Sequence, residues 1–302
     1  MRTALTALTD ELRRLKTTGT KSVSVSEASL VALRTVIRRS SASVARSHAP
    51  AFAAAAIVRT AAPAAAAAAT ARAKANLLPA PPNVVLPDGD KATRWAALLA
   101  MVTNDPVCRS HARPGKKVVL GVGKLDAQIM FVGEAPGAEE EIQGEPFVGP
   151  AGQLLTKMIG AMGLKRADIY IGNIMNWRPE LPLTASGAQV GNRPPTEEEM
   201  LYCLPFIRAQ IEIVQPAMLV ALGSTAAQGL LGFGAFKTLG EVRGQWREFG
   251  GKPLMVTYHP SYLLRPPVDN RKKRLVWEDL LKVMERAALP ISDKQRGFFL
   301  EK

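Results

Sequence analysis

The stretch "AQIMFVGEAPG", residues 127–137, decides the fold. Ile129–Val132 is an uninterrupted apolar run, too short for a helix and stopped by Gly133, which is the pattern of a strand buried on both faces. The chain then leaves the strand through a glycine- and proline-broken loop whose first side chain is the carboxylate of Glu134. The same grammar recurs in "DIYIGNI" (168–174), "AMLVALG" (217–223) and "PLMVTYHP" (253–260). Helical patterns alternate with these strands: "TRWAALLAMV", "AGQLLTKMIGAMG" with a stop at Gly163, "TEEEMLYCLPFIRAQIEIV", "STAAQGLLG" and "KRLVWEDLLKVMERAA". Such alternation predicts an α/β fold of three layers, α/β/α, around a central, mainly parallel four-stranded sheet. Ligands bind such sheets at the carboxyl ends of the strands.

Four loops therefore share one edge: "GEAPG" (133–137), "NIMNWRP" (173–179), "LGSTAA" (222–227) and "HPSYLLR" (259–265). They bring a carboxylate, Glu134, an amide, Asn173, and an imidazole, His259, to that edge, a set suited to acid–base and hydrogen-bonding chemistry.

The 302 residues carry 39 Lys/Arg against 26 Asp/Glu, a formal net charge of +13, which points to a polyanionic partner. Residues 1–90 hold twelve of the cations and only five acids, so more than half of the excess lies in less than a third of the chain. This segment, with "AFAAAAIVRTAAPAAAAAATARAKA" and the proline-rich "PAPPNVVLPDGD", reads as a basic, partly helical or disordered tail and linker, with Ser26 as a helix cap. A regular domain follows over 91–290, and 291–302 reads as a C-terminal tail. No apolar run approaches about 18 residues, which argues against a membrane. Two cysteines, Cys108 and Cys203, fit a reducing cytoplasm and no disulfide framework. Glu139, Glu140 and Glu141 read as a solvated acidic face or a first helical turn.

Several motifs stand in order from about residue 93 to 287: "GEAPGAEEEIQGEPFVGPAGQLL", "YIGNIMNWRP", "NRPPTEEEM", "LVALGSTAAQGLLG", "RGQW" and "YHPSYLLR…VWEDL". Together they resemble the uracil-DNA glycosylases of the family-four type. The resemblance implies a monofunctional DNA repair enzyme that flips uracil out of DNA and hydrolyses its N-glycosidic bond, leaving an abasic site. It implies base binding by Gly133, Ala135, Phe147 and Asn173, with Phe147 stacking on uracil and Asn173 reading its Watson–Crick edge. His259 is expected to stabilise the departing base and Glu134 to act as the catalytic carboxylate. DNA binding is expected at Ser261, Leu263, Leu264 and Arg265, one leucine wedging into the stack, with Arg271, Lys272, Lys273 and Arg274 beside them. A monomer acting on uracil-containing DNA is the expected assembly. A protein that binds or traps uracil-DNA with little or no turnover is the alternative, and no Walker-type lysine or dinucleotide fingerprint supports a nucleotide-binding one.

The resembled family holds a four-iron four-sulfur cluster on four cysteines. The corresponding positions here are Asp105, Cys108, Trp177 and Cys203, and the stretch between Trp177 and Cys203 is longer than the family spacing. Indole has no lone pair to give a metal, so no cluster and no other metal site or cofactor is expected, and packing should take over the cluster's structural role.

Overall fold

The computed structural model describes residues 78–184 and 187–300. The tail reading, Ser26 included, lies up to residue 77 outside the described residues. The last part of the supposed linker belongs to the domain, because Leu78, Val84 and Leu86 pack against its core.

All four expected strands form: β2 (Ile129–Gly133), β3 (Tyr170–Asn173), β4 (Met218–Leu222) and β6 (Lys252–Thr257). They pair in parallel in the order β3-β2-β4-β6. Two antiparallel edges extend the sheet to six: β1 (Val122–Gly123) on β3 and β5 (Trp246–Phe249) on β6. Neither edge has the apolar run of a buried strand; β1 is two residues long and β5 carries Arg247 and Glu248 outward. The chain runs from β2 to its neighbour β3, then returns to the other side of β2 as β4. That reversal opens a crevice at the carboxyl ends of the central strands.

Successive strand residues enter opposite cores, as the two-residue period requires. Met130, Val132, Leu219, Ala221, Leu254 and Val256 face one cluster with Leu98, Phe206, Ile207 and Leu230. Phe131, Val220 and Met255 face the other with Leu155, Ile159, Trp277 and Leu280. The covering helices are α1 (Lys91–Asn104), α4 (Pro150–Ala161), α5 (Glu197–Val214), α6 (Gly223–Leu231) and α8 (Asn270–Arg286), between which lie the short α2 (Pro106–His111), α3 (Ala138–Gln143) and α7 (Pro260–Leu263). Their ends obey local rules. The Asp90 side chain accepts the Thr93 N–H at 2.7 Å, and Thr196 and Glu199 form a reciprocal capping box at the start of α5.

The stretch read as a C-terminal tail is docked. A short helix, α9 (Asp293–Arg296), lies against α8, where Trp277 Nε1 donates to the Gln295 carbonyl and Arg274 donates to the carbonyls of Arg296 and Phe298.

Candidate active site

Gly133 ends β2 opposite Asn173, which ends β3. A Cβ at Gly133 would stand 2.4 Å from Asn173 Oδ1 and 2.5 Å from the Phe147 ring, so the glycine is what lets these two side chains meet. Asn173 is buried, and its Oδ1 has no hydrogen-bond partner within the protein. A buried acceptor left open costs about 1–3 kcal/mol, which a donor on a bound ligand recovers. Phe147 comes from the loop after α3 and is almost fully buried, at a left-handed φ of 56°. Ala135, beside Glu134, is half-buried against the first core.

His259 lies two residues beyond β6 and caps α7. Its Nδ1 accepts the Ser261 N–H at 3.2 Å and lies 2.7 Å from Ser261 Oγ. The capping role and a functional one are compatible, because an Nδ1 occupied as acceptor leaves the ring proton on Nε2. Burial lowers the imidazole pKa to about 4, against the pull of Glu140, with Arg265 lowering it further. His259 is therefore a neutral donor at pH 7. The Phe147 and His259 rings are 5.5 Å apart. Gly223 at the end of β4 would bring a Cβ within 3.0 Å of His259 Cβ, so the third and fourth loops also touch.

Glu134 is half-buried, and desolvation raises its pKa above the ordinary value while a hydrogen bond from the Thr225 side chain opposes the rise. Thr225 lies in the first turn of α6, where the sequence reads a loop, and its bond to Glu134 carries no sequence signal of its own. The ends of β2 and β3, the turn after α3 and the segment after β6 thus bring Gly133, Glu134, Phe147, Asn173 and His259 together.

The flanking surface is divided. Leu264 is 45% exposed and Arg265 is exposed, whereas Leu263 is only 7% exposed and packs in the second core, so of the two leucines it is Leu264 that stands on the surface. Leu263 is the last residue of α7 and Leu264 its C-cap, so the two leave the helix in different directions. Ser261 spends its polar groups on His259. Arg274 is occupied by Glu278 and two backbone carbonyls and is not a free phosphate ligand.

The acidic run is not a solvated face either. Glu139 is exposed, but Glu140 and Glu141 are buried. Glu141 pairs with Arg178 Nη1 at 3.0 Å. Arg178 also holds Asn192 Oδ1 and the Gly191 carbonyl, both at 2.8 Å, and so ties Gly191 and Asn192 to α3.

The positions aligned with the family's cluster ligands do not fit a four-iron four-sulfur group, which needs four thiolates or comparable donors. Asp105 caps α2 and accepts from Tyr202 Oη at 2.9 and 3.1 Å. Trp177 is buried, with His111 stacked on it at 4.8 Å and Tyr202 tilted against it at 6.1 Å. The Cys108 thiol is pushed strongly upward by the adjacent Cys203 and by burial. Among the described residues, no three His, Cys, Asp or Glu side chains are grouped to hold a metal ion, and no helix is long and apolar enough to cross a membrane.

Comparison with known proteins matches the uracil DNA glycosylase superfamily over residues 120–281. A type-4 uracil-DNA glycosylase of Thermotoga maritima is 45% identical over 166 residues, covering 55% of this chain and 80% of that protein. One from Saccharolobus solfataricus is 39% identical over 178 residues, covering 56% and 76%. A type-5 uracil-DNA glycosylase of Pyrobaculum aerophilum is 30% identical over 171 residues, covering 55% and 73%. The matched region contains β2 through most of α8, and with them every loop that builds the site: the chain belongs to the uracil DNA glycosylase superfamily.

Proposed function

We propose that this protein is a DNA repair glycosylase that hydrolyses the N-glycosidic bond of uracil in DNA and leaves an abasic site. The observation that carries the reading is the open Oδ1 of buried Asn173 beside Phe147 and a neutral His259. Uracil N3 bears a hydrogen that this oxygen accepts, while the amide N–H of Asn173 donates to O4. Cytosine has an acceptor at N3 and a donor at the O4 position, so both contacts turn repulsive. Phe147 stacks on the flipped base.

Bond cleavage sends an electron pair onto the base and leaves a cationic sugar. The Nε2–H of His259 donates to uracil O2, where negative charge grows, and the bond strengthens as that charge develops. The Glu134 carboxylate stabilises the sugar cation or orients the attacking water. Both contributions are largest in the transition state. Leu264 fills the gap left by the flipped nucleotide and Arg265 meets a phosphate.

The enzyme works without an iron–sulfur cluster. Stacking of His111, Trp177 and Tyr202, together with the Arg178–Glu141 pair, supports the loops that a cluster would otherwise brace. The protein acts as a monomer, and the two unpaired cysteines suit the cytoplasm.

The test is incubation of the full chain with a uracil-containing oligonucleotide in EDTA, followed by alkali cleavage and measurement of free uracil. Multiple turnovers of uracil release are expected. Stoichiometric capture of the DNA without release would instead make the protein a trap.

A further inference from the structure

Phe147 adopts a left-handed backbone that is uncommon for a large side chain and costs of order 1–3 kcal/mol unless its surroundings enforce it. Three groups enforce it. Glu140, 8% exposed, accepts the backbone N–H groups of Val148 and Gly149 on Oε1, both at 2.9 Å, and that of Gly137 on Oε2 at 3.0 Å. Arg166 Nη2 donates to the Pro146 carbonyl at 2.6 Å. Gly152 lets α4 close over the turn, since a Cβ there would stand 1.8 Å from the Phe147 oxygen.

Resting on the uracil-excision reading, we infer that Glu140 and Arg166 are positioning residues, which grip the peptide groups on either side of Phe147 and hold its ring as a preformed platform for the flipped base. Neither touches the base. The choice of a carboxylate is chemical: three N–H donors converge from two loop segments, and only a two-oxygen anion can accept all of them. Those donors also occupy the charge, which would otherwise work against a uracil anion leaving nearby. Such a grip matters because displacement of a binding group by about 1 Å can cost on the order of 10²-fold in rate.

The experiment is a double-mutant cycle in the full chain. Glu140→Gln, which presents an NH2 to at least one N–H, is expected to slow single-turnover uracil excision about 10- to 100-fold at saturating protein, with little change in affinity for uracil-free DNA. In a Phe147→Ala background the same substitution should cost no more than about threefold, because the residue it positions is gone. Arg166→Met, which keeps the packing and loses one donor, gives a second cycle if the first variant folds poorly. Equal losses with and without Phe147 would overturn the inference. Amide exchange at Val148 and Gly149 reads the grip without DNA: faster exchange in Glu140→Gln than in wild type is expected, and no change at these amides would also overturn it. A wild-type protein that releases no uracil would sink the functional reading, while the exchange result would still judge the grip.

Discussion

Phe147 and His259 face each other across the crevice with ring centroids 5.5 Å apart and 32° between their planes. Phe147 comes from the turn after α3 that Glu140, Arg166 and Gly152 hold, and His259 lies two residues beyond β6, so that turn and the sheet together set their separation. In the proposed reading, a base held against the Phe147 ring has its edge at the imidazole, so one contact pair serves both recognition and leaving-group stabilisation.

His259→Ala and Glu134→Ala should each lower excision by about 10²- to 10³-fold while leaving DNA affinity nearly unchanged, because both groups act on charge that develops during cleavage. Arg265→Ala should do the reverse, weakening binding and reducing its salt dependence by about one phosphate contact. Single-turnover rates measured beside binding isotherms check the contrast. Loss of affinity in step with rate for His259→Ala and Glu134→Ala would place both on the docking surface.

Asn173→Asp replaces the donating amide with a charged acceptor facing uracil O4. Sites built on such hydrogen bonds discriminate by roughly 10⁴-fold or more, so uracil excision should fall steeply. Excision kinetics on matched uracil and cytosine oligonucleotides measure the change, and an unaltered uracil rate would reduce Asn173 to a turn residue.

The raised pKa of Glu134 means that it takes up a proton at a higher pH than an exposed glutamate. If its carboxylate form is the active one, the acid limb of the rate profile lies above pH 4.5, the ordinary glutamate value. His259 stays neutral down to about pH 4 and adds no limb near 6.5. Glu134→Gln should leave a slow rate without that limb, as a single-turnover pH series will reveal.

Stability carries a separate pH signature. The unfolded chain protonates His259 near pH 6.5 and the folded one near 4, so the stability tied to this group is complete above about 6.5 and is lost as pH falls towards 4. Melting temperature followed over that window should drop less steeply in His259→Gln than in wild type.

The protein should purify colourless, and elemental analysis should find no iron; about four irons per chain would overturn the packing account of the cluster region. Trp177→Ala should cost about 3–5 kcal/mol in chemical denaturation, as for other buried aromatics.

The parallel sheet was legible because four short apolar runs each ended at a turn, and Glu134, Asn173 and His259 were legible because they stand directly at those ends. Two edge strands were not. Edge strands need backbone partners more than apolar side chains, and β1 and β5 show little of the latter. The stretch after 290 looked like a tail because three of the bonds that dock it are accepted by its own backbone carbonyls, which every residue offers, and its apolar anchors, Ile291 and Phe298, are too sparse to show a period.

The sequence by itself determined the order of strands and helices, the edge on which the chemistry sits, and the absence of four cysteines at the cluster positions, since all of these follow from local pattern and residue identity. Only the tertiary structure decided that Glu140 and Glu141 are buried, that Leu263 turns inward while Leu264 stays out, and that His259 is neutral. A glutamate is a surface residue by default, and it becomes a structural one only where three N–H groups or an Arg178 guanidinium converge on it from segments distant in the chain. Burial, partners and the resulting proton affinities are properties of that convergence, and no single stretch of sequence contains them.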